Sequence, residues 1–363
     1  MSEAPHTKNG PSLPSTGGEE ELPQGSGLRL LIARLVRGEN LPRHDASQFL
    51  GCLLDGVATD AQVAAGLVAL AIKGETVDEL VGIASAMRSR AVRLKASHER
   101  FLDTAGTGSS SAKTFNVSTA AAFVIAGAGL AVAKHGNRAV TSCSGSSDVL
   151  AALGVGITAS PDVSEKCLNE TGVCFMFAPL YHLTTARVAA IRRELGVRTI
   201  FNLLGPLTNP AGAPYQVVGV SKAALVEPIA QTLAALGTKR AWVVHGLDGL
   251  DEVTLAEKTL VAEASGGEVK RFELDPTNFG LRRASLEHLS CEDAQSSARI
   301  IHEIFYRQRH DAARDLVIAN AAVGLFVAGM AEDLRTAAKL AAASIDDGGA
   351  AAKLAALVKA TNT

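Results

Sequence analysis

Residues 215–245 do most to narrow the folds open to this chain. A Val-rich run at 215–220 precedes a helix-like stretch at 222–236, and a second apolar run follows at 240–245. Strand, helix and strand at that spacing make a βαβ unit, whose crossover leaves the two strands parallel. The expected class is α/β, with a mainly parallel central sheet. The loop after the second strand reads Gly246-Leu247-Asp248-Gly249-Leu250-Asp251-Glu252. It leaves the carboxyl end of a strand, the end at which α/β sheets bind ligands. Its adjacent carboxylates, Asp251 and Glu252, are hard oxygen ligands of the kind Mg²⁺ takes, although neighbouring acids on a loop are more often simply solvated.

A second stretch, 103–154, points to phosphate. Gly106-Thr107-Gly108-Ser109-Ser110-Ser111 is a flexible, donor-rich loop that leads through Asn116, Val117, Ser118 and Thr119 into an Ala-rich apolar helix. Lys134, His135, Gly136, Asn137 and Arg138 follow the apolar run 130–133. Five Ser or Thr residues with Gly145 then fill 141–148 and open another helix. Glycines let the backbone approach an anion closely, and hydroxyls and free N–H groups at a helix start donate to it. Either loop alone reads as a turn or an N-cap. Together, with a Lys-His-Asn-Arg cluster between them, they suit a doubly phosphorylated ligand.

Composition removes other classes. A length of 363 residues accommodates one large or two modest domains. Hydrophobic residues at 47% against 20% charged are ample for a core, and aromatics at 4% leave Ala, Val, Leu and Ile to build it. A net charge of −2 argues against a general nucleic-acid binder. Cys52, Cys143, Cys167, Cys174 and Cys291 are odd in number and lack C-x-x-C spacing, so neither zinc nor a disulfide framework is expected. Reduced thiols in a cytoplasm are the simplest account, with Cys143 a small buried filler. The longest uncharged apolar run, 120–133, is too short to span a bilayer, and the chain start lacks the apolar stretch of a secretory signal.

Along the chain, 1–26 is rich in Pro, Gly, Ser, Thr and Glu and reads as a disordered tail. Residues 28–94 read as helices. Leu28, Leu31 and Leu35 share one face, and Thr59 with Gln62 and Thr76 with Glu79 are capping-box patterns. Such a small bundle cannot bury all its apolar faces, so it is expected to pack on a second domain or on a partner subunit. Residues 161–195 look helical again around an apolar segment at 173–177. A short strand and a Gly-Pro/Asn-Pro turn are expected at 197–208, strand-like pieces at 261–279, and helices beyond Leu286.

Longer motifs carry a resemblance. GTG at 106–108 with TFNVSTAAAF at 114–123, AKHGNRAV at 133–140, SGSSDVLAALG at 144–154, RRELGVRTIFNLLGPLTNPA at 192–211 and HGLDGLDE at 245–252 strongly resemble anthranilate phosphoribosyltransferases, in that family's order, over about 28–358. The resemblance implies a nucleoside phosphorylase/phosphoribosyltransferase-like fold. A helical domain would comprise 27–97 with about 160–196. An α/β domain binding phosphoribosyl pyrophosphate would comprise 98–159 with about 197–363. It implies transfer of the phosphoribosyl group to the amine of anthranilate in tryptophan biosynthesis, Mg²⁺ as cofactor, a cytoplasmic homodimer formed through the helical domain, and no nucleic-acid or membrane partner.

The same resemblance assigns roles. Gly106, Gly108, Ser109, Ser110, Thr114, Asn116, Ser118, Thr119, Lys134, Ser142 and Ser146 would bind phosphoribosyl pyrophosphate. Gly106, His135, Asn137, His182 and Arg192 would bind anthranilate, with Arg192 gripping its carboxylate. Ser118, Asp251 and Glu252 would hold the metal. Catalysis would rest on positioning and charge neutralisation, with no covalent nucleophile. The chain departs from the family at the first loop, where Ser109-Ser110-Ser111 replaces Gly-Asp-Gly, so Ser110 stands for an aspartate; Leu183 stands for a proline. Two other readings are a related phosphoribosyltransferase or phosphorylase with another acceptor, and a non-catalytic relative that binds nucleic acid. The presence of both Arg192 and the Asp251-Glu252 loop speaks against the first, and the absence of a basic excess against the second.

Overall fold

The computed structural model describes residues 1, 26–108, 112, 114–138 and 145–363. Most of the tail expected at 1–26 lies outside the described residues, as do Ser109, Ser110, Ser111, Ser142 and Cys143.

The chain opens on helices α1 (Ser26–Val36), α2 (Arg43–Leu54), α3 (Asp60–Lys73) and α4 (Val77–Ser89). Leu28, Leu31 and Leu35 are buried, as their helical spacing requires. Both capping boxes form. Thr59 accepts from the Gln62 N–H and Thr76 from the Glu79 N–H, and each N3 side chain returns a bond to the cap backbone. Glu79 is fully buried. It also accepts from the Leu41 N–H at 2.9 Å and from Lys73 Nζ at 2.8 Å, so its charge is paired rather than stranded.

The remaining elements mix strands and helices: β1 (Phe101–Gly106), α5 (Val117–Gly127), β2 (Ala131–Gly136), α6 (Ser146–Ala152), α7 (Pro161–Thr171), β3 (Val173–Phe177), α8 (Ala178–Tyr181), α9 (Ala186–Leu195), α10 (Phe201–Leu207), β4 (Tyr215–Gly219), α11 (Val226–Ala235), β5 (Arg240–Gly246), β6 (Thr259–Ser265), β7 (Glu268–Leu274), α12 (Ala294–Phe305), α13 (Ala312–Val327), α14 (Leu334–Asp346) and α15 (Gly349–Thr361). Among the described residues the seven strands make one sheet in the order β3-β2-β1-β4-β5-β6-β7. The first five are parallel and the last two antiparallel. The predicted βαβ unit is β4-α11-β5.

Two expectations change. Residues 160–196 do not return as a block to the helical domain. Val173–Phe177 is the edge strand β3, paired with β2, and α7 packs on it, while α9 lies against α2 and α3. An apolar run of five residues does not distinguish a strand from a buried helix segment. Residues 201–207 form helix α10 where a short strand was expected. Asn202 Oδ1 accepts the Thr199 N–H at 3.1 Å at the helix start, and Leu204 and Leu207, three apart, bury one face.

Strand alternation gives the sheet two apolar faces. Val217, Trp242, Val244 and Val261 join the core under α5 and α12 to α15. Their neighbours Val218, Val243 and Ala262 join the core under α11. That second core runs on without a break into α1 to α4, α9 and α10, so the expected packing of the bundle on the sheet domain is found. No helix among the described residues is long and apolar enough to cross a membrane.

Candidate active site

Chain order reverses direction between β1 and β4, which makes their carboxyl ends the topological switch point of the sheet. There Gly106 pairs with Gly219, and the Thr107 N–H donates to the Gly219 carbonyl at 2.9 Å. Gly219 has a steric reason to be glycine: a Cβ would collide with the Asp251 carbonyl. A cavity of about 470 Å³ opens at this point, a volume ordinary for a small-molecule site.

Its first wall is the β1–α5 turn. Gly106, Gly108, Thr114, Asn116 and Ser118 line it, with Gly108 at a φ of +65° that favours glycine. Asn116 occupies the N-cap of α5, and its N–H donates to Ser297 Oγ at 2.9 Å. Thr119 is buried beneath the turn.

β2 supplies the second wall, and alternation sends its two functional side chains to opposite faces of the sheet. Lys134 turns towards α5. Its ammonium donates to the Thr104 carbonyl, lies 3.3 Å from Thr104 Oγ1 and reaches Ser118 Oγ at 3.5 Å. Burial lowers its pKa, against the pull of Asp103 and Glu252. His135 turns the other way, and its Nδ1 lies 3.2 Å from the Gly205 carbonyl. A carbonyl only accepts, so Nδ1 carries the proton and Nε2 is the unprotonated nitrogen. The His182 ring stands 5.3 Å from that of His135. Burial drives His135 down to about 3, helped by His182, and drives His182 down to about 4. Both imidazoles are therefore neutral near pH 7.

The third wall is cationic. Arg192, on α9, lies over the Phe201 ring at 5.0 Å, and one of its Nη atoms donates to Asn202 Oδ1 at 3.4 Å. Burial lowers its pKa. No carboxylate pairs with it among the described residues. The fourth wall is the β5 loop. Asp248 closes that loop by accepting from Thr254 Oγ1 at 2.6 Å, while Asp251 and Glu252 line the cavity. Glu252 accepts the Ser118 N–H at 3.1 Å. Burial, and then Asp251, push its carboxyl up to about 8, while Lys134 pulls the other way.

Of the residues expected to act together, Gly106, Gly108, Thr114, Asn116, Ser118, Lys134, His135, Asn137, Ser146, His182, Arg192, Asp251 and Glu252 line this one cavity. Thr119 lies behind it, and Ser109, Ser110 and Ser142 are outside the described residues. Within the cavity, Thr114 Oγ1, His135 Nε2 and Arg192 Nε are buried without a hydrogen-bond partner among the described residues. Buried polar atoms are normally paired, so open ones lining a cavity mark where a ligand or water can bond.

Three contributors escaped the sequence reading. Asp103 is fully buried and accepts the His135 N–H at 3.2 Å. Burial raises its carboxyl to about 6, against Asn209 and Lys134. An acid inside an apolar strand, directly before the glycine loop, was its available signal. Asn320, on α13, grips Val253 through both its amide atoms at 2.9 Å and so fixes the acidic loop. Asn202 holds Arg192. The last two had no local signal.

The donor set fits Mg²⁺. No group of three or more His, Cys, Asp or Glu side chains gathers among the described residues. Two acids and a hydroxyl, Asp251, Glu252 and Ser118, are instead what a magnesium ion shared with substrate phosphates uses. Burial first, and Asp251 second, raise the Glu252 carboxyl, so a cation bound there would favour its charged form.

Comparison with known proteins agrees with this layout. The family model "Glycosyl transferase family, a/b domain" matches residues 98–351, and "Glycosyl transferase family, helical bundle domain" matches 29–91. An anthranilate phosphoribosyltransferase of Moorella thermoacetica is 48% identical over 331 residues, which is 91% of this chain and 97% of the relative. The structure of the Thermus thermophilus anthranilate phosphoribosyltransferase superposes with a TM-score of 0.86 at 37% identity, over 92% of this chain and 99% of that one. That of the Saccharomyces cerevisiae enzyme in complex with phosphoribosyl pyrophosphate and Mg gives 0.84 at 27% identity, over 92% and 98%. With likeness of that order running through both of its domains, the chain belongs to the anthranilate phosphoribosyltransferase family.

Proposed function

We infer that this cavity transfers the phosphoribosyl group of phosphoribosyl pyrophosphate to the amine of anthranilate, releasing pyrophosphate and giving N-(5-phosphoribosyl)anthranilate for tryptophan biosynthesis. One observation carries the reading: a buried lysine and two crowded carboxylates at one side of the cavity face a guanidinium without a carboxylate partner at the other. The first side suits a pyrophosphate. The second suits an acceptor that brings its own carboxylate, which disfavours an uncharged acceptor.

The reaction breaks the bond from C1 of the ribose to pyrophosphate and forms one from C1 to nitrogen. The β1–α5 turn and Lys134 present donors to the departing charge, where each well-placed donor is worth about 3–4 kcal/mol of barrier. Asp251, Glu252 and Ser118 would hold Mg²⁺, which supplies neutralisation of the pyrophosphate when bound. Arg192 takes the anthranilate carboxylate and so aims the amine. The nitrogen becomes strongly acidic only once its bond to C1 forms, so a weak base suffices for its proton. Neutral His135, with Nε2 open, meets that need. Asn137 and His182 complete the acceptor side, and Ser146 the phosphate side.

The reading extends to assembly. We propose a homodimer through the helical domain, supported by Leu30 and Val36 on α1 and Ile72 on α3, large apolar side chains left 60, 69 and 81% exposed. We propose a helical domain of 27–97 with α9 and α10, and an α/β domain that includes α7 and β3. A phosphorylated sugar substrate does not cross membranes unaided, which supports a cytoplasmic enzyme. The deciding assay follows the fluorescence of anthranilate with phosphoribosyl pyrophosphate and Mg²⁺. Loss of signal that needs all three components is expected, and a steady signal overturns the assignment.

A further inference from the structure

We propose that the Phe201–Asn202 pair is a specificity device: it fixes the Arg192 guanidinium while leaving its charge uncompensated, and so makes an anionic acceptor the one the cavity selects. The proposal rests on the acceptor assignment above.

Two contacts hold the guanidinium. The Phe201 face lies 5.0 Å from Arg192 Cζ, and Asn202 Oδ1 lies 3.4 Å from an Nη atom. Both are attractive and neither carries a net charge. The amide is itself anchored. Asn202 Oδ1 accepts the Thr199 N–H at 3.1 Å, and the Asn202 N–H donates to the Thr199 carbonyl at 2.9 Å. Two donors on Oδ1 settle which way the amide faces and leave its NH₂ for the cavity that Asn202 lines. Arg192 Nε keeps its proton unpartnered among the described residues. Among the described residues the guanidinium is thus held by neutral groups alone, with donors left over for a carboxylate.

An aspartate at 202 would keep the acceptor that Thr199 and Arg192 use, so for the fold it is the mildest change available. For the acceptor it is the worst, because its charge would take the place of the ligand's carboxylate. A purely structural role predicts the reverse order, with Asn202→Ala more damaging than Asn202→Asp. The test is steady-state kinetics of wild type, Asn202→Ala, Asn202→Asp and Phe201→Leu, with thermal midpoints and calorimetric binding of phosphoribosyl pyrophosphate as controls on folding. Asn202→Asp is expected to raise the anthranilate KM about a hundredfold, and Asn202→Ala and Phe201→Leu about tenfold or less. The KM for phosphoribosyl pyrophosphate should stay within about twofold of wild type in all three, since the change is confined to the acceptor side. An Asn202→Asp enzyme milder than Asn202→Ala overturns the proposal, as does a phosphoribosyl pyrophosphate KM that rises in step. An active wild type with unchanged anthranilate KM in the variants overturns the proposal alone. A wild type that does not consume anthranilate overturns it together with the functional reading.

Discussion

Arg192 reaches the cavity half-buried, its guanidinium lowered in pKa by burial yet with no acid beside it among the described residues. A charge-assisted hydrogen bond from such a group is worth about 1.5–3 kcal/mol. Arg192→Ala should therefore raise the anthranilate KM about ten- to hundredfold and leave that for phosphoribosyl pyrophosphate unchanged. An unaltered anthranilate KM would remove Arg192 from the acceptor site. The neighbouring histidines carry a pH prediction. His182 falls from an ordinary value near 6.5 to about 4, so below pH 6.5 the unfolded chain binds a proton that the native chain refuses. Its contribution to stability is complete above pH 6.5 and is lost as the pH falls towards 4. His135 acts in the same sense, whereas Asp103 and Glu252, raised to about 6 and about 8, act in the opposite one. The wild-type curve mixes these signs, and a variant separates them. Between pH 7 and 4.5 the wild type should lose about 2 kcal/mol more than His182→Gln in urea unfolding. Equal losses would mean that His182 is not held neutral in the fold.

At the scale of elements, the β5 loop works as one unit. The Gly246 N–H donates to the Leu250 carbonyl at 2.8 Å, the Leu250 N–H donates to Asp248 at 3.2 Å, and Asn320 clamps Val253 from 67 residues away. Its approach to β4 depends on the missing side chain at Gly219. Gly219→Ala should cost about 1–3 kcal/mol as an overpacked site and raise the Mg²⁺ concentration needed for half-maximal activity, because Asp251 is displaced. Thermal melts and a magnesium titration check both, and a variant matching wild type in each would show that the loop yields. The same elements show what the sequence could disclose. The capping boxes at Thr59 and Thr76, the β4-α11-β5 unit and the helix starts at Asn116 and Gly145 were legible because each is built from residues within a few positions of one another. The long motifs named the family and most of the cavity. The edge strand at 173–177 and α10 were not legible, since short apolar runs fit either structure until a neighbour selects one. Nor was the division of labour in the acidic loop, where Asp248 closes the turn and Asp251 faces the cavity, or the grips of Asn320 and Asn202. Those depend on side chains that meet only after the fold has formed.

For the molecule as a whole, the sheet is shared property. Neighbouring residues of β5 serve different cores, Trp242 and Val244 on the α5 side and Ala241 and Val243 on the α11 side. The α11 core is the same one that fills α1 to α4, where Leu67 on α3 is fully buried. The bundle and the sheet are thus two domains by chain and by family likeness, joined by a single apolar interior. Domains with an extended apolar junction lose stability together, while those with a small polar one melt apart. The chain's one tryptophan makes the distinction measurable, because Trp242 lies in the sheet, packed edge-on to Phe272 at 5.0 Å and Phe326 at 5.3 Å. Leu67→Ala removes buried methyl groups from the bundle, a change that costs about 2–5 kcal/mol. If the interior is continuous, the unfolding midpoint reported by Trp242 fluorescence should fall by as much as the midpoint reported by far-ultraviolet circular dichroism, in one transition. If the bundle unfolds by itself, the dichroism curve should split and the tryptophan midpoint should stay where it is in the wild type. That second result would make the bundle a separate folding unit, and the Leu67 variant would then retain a folded phosphoribosyl pyrophosphate site above the temperature at which its helices are lost.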